Sequence, residues 1–125
     1  MADFRPDEAA DTKVKKDGGP PEVTLVPTAD ILGGLIERRR PGQTLVGFAA
    51  ETDDVEANAV AKLARKPVDL LVVNDVSKPG AGFESDTNEV RIMSPSGSTL
   101  MVDRQDKRAV ARAVFDAVVA DRATP

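Results

Sequence analysis

The chain reads as an α/β domain of three layers, a sheet with helices on its faces, that ends in a hairpin and a helix. Two short apolar runs, 44–50 and 69–74, have the unbroken pattern of strands buried on both faces of a parallel sheet. Between them, 55–66 repeats apolar residues at helical spacing, so strand, helix and strand form one βαβ unit of the expected right-handed sense. Further on, 88–94 and 99–103 alternate apolar and polar residues around Pro95-Ser96-Gly97, which is hairpin chemistry.

Taken in order, residues 1–23 are polar and irregular. They hold Lys13, Lys15 and Lys16 ahead of Asp17-Gly18-Gly19-Pro20-Pro21, a turn cluster hostile to regular structure. This segment is expected to be a mobile flap on a body spanning 28–125. Ordering costs about 1 kcal/mol per residue, so 7–21 is expected to be poorly ordered without ligand. Residues 28–39 read as a helix with Thr28 as N-cap, Asp30 in the first turn, Arg38 to Arg40 at its C-terminal end, and Pro41-Gly42 as terminator. The Gly33-Gly34 pair inside it is read as permitting close packing.

The first buried strand is followed by Glu51, Asp53 and Asp54. In the 55–66 helix, Val60, Leu63 and Ala64 are expected to face inward, and Lys62 and Lys66 share one face at i,i+4 spacing. Pro67 stops that helix. A Gly- and Pro-rich loop covers 75–86. The last helix, 107–122, is expected to turn Val110, Val114, Phe115 and Val118 toward the core.

At 125 residues the chain fits one domain, with 41% hydrophobic residues to build a core. Four Phe and no Tyr or Trp leave that core to aliphatic side chains. The net charge of −4 argues against any broad affinity for nucleic acid. The sequence has no apolar run of membrane-spanning length and no leader pattern, so neither a membrane span nor a signal peptide is expected, and the expected location is cytoplasmic. With no Cys there is no thiol nucleophile, and with no His there is no imidazole base. Lys, Arg, Asp, Glu, Asn, Ser, backbone amides and a hard cation remain. That inventory suits phosphate handling, in which positioning and charge neutralisation dominate.

Neither a G-x-G-x-x-G nor a Walker-type phosphate loop is present. Gly47-Phe48-Ala49-Ala50-Glu51-Thr52 closes the first buried strand at its carboxyl end, where open α/β sheets bind ligands. On periodicity alone Phe48 is a core residue, and on charge pattern alone Lys62 and Lys66 are a solvated helix face. Asn74-Asp75 and Gly82-Phe83-Glu84-Ser85-Asp86-Thr87-Asn88 hold residues frequent in turns whatever the function.

Together, however, Ala2-Asp3-Phe4-Arg5-Pro6, Lys13-Val14-Lys15-Lys16, Gly47-Phe48-Ala49-Ala50-Glu51-Thr52, Asn74-Asp75-Val76-Ser77 and Gly82-Phe83-Glu84-Ser85-Asp86-Thr87-Asn88 resemble, in order and spacing, the synthetase domain of bacterial phosphopantothenoylcysteine synthetases. The resemblance covers nearly the whole chain. It implies a Rossmann-like fold of which 1–125 would be the carboxy-terminal part. It also implies a CTP-dependent ligase of coenzyme A biosynthesis, acting on 4′-phosphopantothenate and cysteine with Mg²⁺, in the cytoplasm and as a homodimer, with neither nucleic acid nor membrane as partner.

The same resemblance assigns residues. Asp3 matches an acidic nucleotide-binding position, and Lys13 matches a lysine serving both the nucleotide and the chemistry. Ala29, Asp30, Ile31 and Leu32 match a nucleotide-binding segment that relatives usually begin with Pro. Phe48 matches a residue at the base and ribose, and Lys62 and Lys66 match two more nucleotide-binding lysines. Phe48, Lys62 and Lys66 are expected to surround one pocket. The family's Gly/Ser-rich phosphate loop, an essential Asn and the fused flavin-dependent decarboxylase have no counterpart here, so FMN is not expected on this chain. A non-catalytic piece that binds nucleotide or self-associates is the alternative, and an unrelated nucleotide- or metabolite-binding α/β module is a second one.

Overall fold

The computed structural model describes residues 2–76 and 87–124. Its elements are β1 (Phe4–Pro6), β2 (Leu25–Pro27), α1 (Ile31–Glu37), β3 (Val46–Glu51), α2 (Val55–Arg65), β4 (Leu70–Asp75), β5 (Thr87–Met93), β6 (Thr99–Asp106) and α3 (Lys107–Ala123). A turn of 3₁₀ helix at Lys16–Gly18 interrupts the connection between the first two strands. Strands β3 to β6 form one mixed sheet in sequential order, with β1 and β2 paired separately.

The parallel pair is the centre of the body. β3 and β4 run in continuous register from Val46 opposite Leu70 to Glu51 opposite Asp75. Side chains alternate across a strand, so β4 feeds two cores at once. Leu70 and Val72 pack with Val90, Ile92, Val102 and Val110 under α3. Leu71 and Val73 pack with Ala59, Val68 and Met93 on the opposite face, where Leu32, Leu63 and Val55 bring in α1 and α2. The three layers expected from the sequence are thus helix, sheet and helix. The hairpin forms as expected, with Gly97 in the left-handed region at φ 92° and its amide bonded to Ser94 O at 3.0 Å.

Several expectations are corrected. The polar lead-in is not wholly irregular: β1 pairs antiparallel with β2, Phe4 opposite Pro27 and Pro6 opposite Leu25. Every residue from 7 to 21 is exposed. Thr28 does not cap α1; its hydroxyl donates to Ala2 O at 2.6 Å, tying the arm's two ends together. The cap is Asp30, whose Oδ1 accepts from Gly33 N at 3.1 Å. A Cβ at Gly33 would lie 2.5 Å from Asp30 Oδ2, so a side chain there would displace the capping carboxylate. Gly47 is the position of close helix approach, where a Cβ would meet Leu71 and Leu32 at 3.2 and 3.3 Å.

The inward face of α2 is also shifted. Val55, Ala59 and Leu63 face the sheet at i, i+4 and i+8, whereas Val60 and Ala64 are exposed. On α3, Val110, Val114 and Val118 pack inward as expected, but Phe115 is 70% exposed. The inward stripe of α3 is Val110, Ala113, Val114, Ala117 and Val118, the i, i+3, i+4 spacing of an amphipathic helix, and Phe115 lies one step beyond it. Asp106 ends β6 and caps α3, accepting from Ala109 N at 2.7 Å.

The amino ends of the parallel strands are fastened by Asp69. Its Oδ2 accepts from Leu45 N at 2.7 Å, its own amide donates to Leu45 O at 2.9 Å, and Arg39 Nη2 reaches both carboxylate oxygens, at 2.7 and 2.5 Å. Burial alone would raise the Asp69 carboxyl, but the bonds from Arg39 and Leu45 and the Arg39 charge outweigh it and hold the carboxyl below its ordinary range. A depressed carboxylate contributes stability that is complete above its unfolded value, about 3.9, and is lost as pH falls through the folded value. Asp69→Ala is therefore expected to cost roughly 1–2 kcal/mol at neutral pH, since a bond to a charged group is lost from a partly solvated site. Thermal melts should show the gap to wild type narrowing below about pH 4. A gap that stays constant with pH would refute the assignment.

Candidate functional site

The carboxyl ends of β3 and β4 lie on the opposite side of the sheet from the Asp69 fastening, and the alternation of the strands sorts their residues between two faces. Phe48 and Asn74 fall on the α3 face, diagonal neighbours across the pair because Phe48 is opposite Val72. Glu51, with Asp75 opposite it in register, falls on the α2 face.

Phe48 is not a core residue: it is 73% exposed. The ring lies beside an apolar groove of about 340 Å³ formed with Val46, Val110, Val114, Phe115 and Val118. β3 is an edge strand among the described residues, so no neighbouring strand covers this flank. Asn74 stands just beyond, in a strand otherwise apolar up to that point. Its Oδ1 is buried and has no hydrogen-bond partner among the described residues. A buried acceptor without a donor is costly.

On the α2 face, Lys62 and Lys66 are not a freely solvated pair. Lys62 Nζ lies 2.6 Å from Glu51 Oε1. That contact is close in distance but poorly aligned, because the same Oε1 is a buried oxygen without a hydrogen-bond donor. Lys66 Nζ donates to Asp30 Oδ1 at 2.8 Å, joining the end of α2 to the cap of α1. The bond from Lys66, with the Gly33 amide second, lowers the Asp30 carboxyl below its ordinary range.

The structure therefore brings Asp30 and Lys66 into contact and places Ala29, Ile31 and Leu32 around the start of the same helix, with Ile31 exposed and Leu32 half-buried. Asp3 is carried to the neighbouring stretch by its carbonyl, which accepts from Thr28 N at 2.8 Å. Lys13 lies on the exposed connection between β1 and β2. The expectation that Phe48, Lys62 and Lys66 surround one pocket is not met. The lysines extend from a helix packed on the Gly47, Ala49 and Glu51 side of β3, and Phe48 points the other way because strand residues alternate. Of the quoted motifs, Ser77 and residues 82–86 lie outside the described residues.

Two residues were not singled out as site residues from the sequence. Asn74 is polar within an otherwise apolar run, and counting alternation from Leu70 sets it on the Phe48 face. Glu51 stands at the last position of β3, on the face that α2 covers, eleven residues before the lysine it meets. Among the described residues no cluster of acidic side chains is arranged to hold a metal ion, and no helix is long and apolar enough to cross a membrane. Lys66→Gln is expected to raise the Asp30 titration toward the ordinary carboxylate range, measured by carbon-detected NMR; an unmoved Asp30 titration would show that the contact is not maintained in solution.

Comparison with known proteins is consistent with this geometry. A family model described as the DNA/pantothenate metabolism flavoprotein C-terminal domain matches residues 1–121. The coenzyme A biosynthesis bifunctional protein CoaBC of Bacillus subtilis is 50% identical over 97 residues, covering 78% of this chain and 24% of that protein. CoaBC of Mycobacterium bovis is 39% identical, covering 95% of this chain and 31% of its own length. A protein named cysteine/cysteine sulfinic acid decarboxylase is 40% identical over 111 residues, again covering 31% of that protein. The chain thus spans less than a third of the curated relatives it matches. Among solved structures, the C-terminal domain of a CoaBC superimposes with a TM-score of 0.64 at 36% identity, covering 77% of this chain and 46% of that one. The match over residues 1–121 establishes that the chain belongs to the family of DNA/pantothenate metabolism flavoprotein C-terminal domains.

Proposed function

We propose that the chain supplies the nucleotide-binding part of a CTP-dependent ligase that joins 4′-phosphopantothenate to cysteine in coenzyme A biosynthesis, in the cytoplasm. The observation that carries this reading is an aromatic ring left exposed beside an apolar groove on the edge strand of the parallel pair, Phe48. A planar base stacked on the Phe48 ring would cover apolar surface now in water. Family membership supports the reading, and the names of the CoaBC relatives point to the pathway.

In this mechanism the base lies on the α3 face and the triphosphate crosses the strand ends toward Lys62 and Lys66. A triphosphate carries about four negative charges, and an acidic chain binds it by concentrating cations locally. CTP would arrive as its Mg²⁺ complex, the ion keeping phosphate and water ligands and offsetting phosphate charge. A carboxylate oxygen of 4′-phosphopantothenate attacks the α-phosphorus, forming an acyl-cytidylate as pyrophosphate leaves. The amine of cysteine then attacks the acyl carbon, loses a proton and expels CMP. The substrates supply both nucleophiles, so a chain without His or Cys can support the reaction. Lys13, on its exposed connection, would close over the site and stabilise the developing oxyanions.

A homodimer belongs to the same reading. The β1–β2 arm is two-stranded, with Phe4, Val23 and Leu25 each well over half exposed. Such a ribbon is marginal by itself in water, and a second copy would cover it.

Calorimetric titration is expected to show CTP binding, weakened roughly tenfold or more by Phe48→Ala, because base–aromatic stacking contributes about 1–3 kcal/mol. No CTP binding by the wild-type chain would overturn the reading. CTP binding without CMP release, in the presence of 4′-phosphopantothenate and cysteine, would favour a nucleotide-binding module over a complete ligase. Where CMP is released, Lys13→Gln should slow release by roughly 10²–10³-fold, as loss of an oxyanion donor does, with an unchanged melting temperature.

A further inference from the structure

We infer that Glu51 is a positioning residue: its carboxylate holds the Lys62 amine over the strand ends so that a phosphate group can be bound there. The inference rests on the nucleotide reading above and goes beyond it, because it assigns a role to a residue that contacts no ligand.

Glu51 is the last residue of β3, and its backbone is fixed by Val76 N, which donates to Glu51 O at 3.0 Å. Its side chain is only 13% exposed, whereas that of Lys62 is 39% exposed. The carboxylate is thus the fixed partner, and the ammonium the one that reaches solvent. A lysine on an exposed helix face samples many rotamers, and immobilising its side chain costs conformational entropy. The 2.6 Å contact with Glu51 meets that cost before any ligand arrives.

Charge and stoichiometry point the same way. An ammonium has three N–H donors, so pairing with one carboxylate oxygen leaves donors for a phosphate. The pair is poorly aligned for a hydrogen bond, since Glu51 Oε1 counts no donor among the described residues. The amine is therefore held by attraction between charges. Lys66 makes the contrasting case: its partner Asp30 has a 58% exposed side chain and is already engaged as the cap of α1.

The test compares ligands that differ only in phosphate. Calorimetric titration of the chain with CTP and with cytidine gives the ratio of the two affinities for wild type, Glu51→Ala and Glu51→Gln. Positioning predicts that Glu51→Ala lowers the CTP-to-cytidine ratio about tenfold, the loss of one good phosphate contact. Glu51→Gln keeps the shape but removes the charge that holds the amine, and is expected to lower the ratio as Glu51→Ala does. A purely structural role would instead lower the melting temperature and weaken both ligands together, leaving the ratio unchanged, and that result would overturn the inference. A ratio that rises in Glu51→Ala would overturn it too, since Glu51 would then be a competitor of phosphate. Should the wild-type chain bind neither ligand, the nucleotide reading itself fails and the inference falls with it; CTP binding by wild type with an unmoved ratio in both variants refutes the role of Glu51 alone.

Discussion

The parallel pairing of β3 with β4 is the constraint on which the rest of the molecule depends. Its register decides which residues of each strand face α3 and which face α1 and α2, and a slip of one residue would exchange the two sets. Val46 and Phe48 go to one side with Leu70, Val72 and Asn74; Gly47, Ala49 and Glu51 go to the other with Leu71, Val73 and Asp75. Both cores and both halves of the candidate site follow from that sorting. The pair is fixed from its amino end, where Asp69 bonds the Leu45 amide and Arg39 and so ties the end of α1 to the starts of both strands.

The division of the site between two faces has a chemical consequence. The apolar ring of Phe48 lies on the side where α3 leaves an open groove, and the cations lie on the side that α2 covers. A ligand that satisfied both would have an aromatic part and an anionic part joined by a linker able to pass over the strand ends. A nucleotide has that form. The carboxyl edge of a parallel sheet suits such a ligand because neither helix layer closes it, and open α/β sheets place ligands there for that reason.

How much of this was legible in the sequence depends on which physical signal carried it. The parallel strands were legible because residues buried on both faces must all be apolar, and 70–73 are Leu, Leu, Val and Val. The hairpin was legible from strand alternation and from Gly97, the residue that its left-handed turn position favours. The helix faces were less so. In α2, the small residue Ala59 lies at the closest approach to the sheet and is fully buried, while the larger Val60 beside it is 54% exposed. Contact distance, which sequence spacing does not report, overrode hydrophobicity there. The cap of α1 was displaced for a similar reason: Thr28 is engaged by the β1–β2 arm through a partner 26 residues away, leaving Asp30 to cap.

Within the site, residue identity was easier to read than direction. Phe48, Lys62 and Lys66 were marked by resemblance, but resemblance does not report the face on which a side chain stands, and alternation along β3 separates Phe48 from both lysines. The partners of those lysines were harder still, because an ion pair between a strand end and the following helix has no fixed spacing. Glu51 reaches Lys62 only because Ala59 brings the helix down onto the sheet, and Asp30 reaches Lys66 only because Gly47 admits Leu32 and with it the whole of α1. Two small residues, Gly47 and Ala59, thereby set the distances at which four charged ones meet. The electrostatics of the strand ends are in this sense a product of packing: a larger side chain at either position would separate carboxylate from amine without altering a single charge.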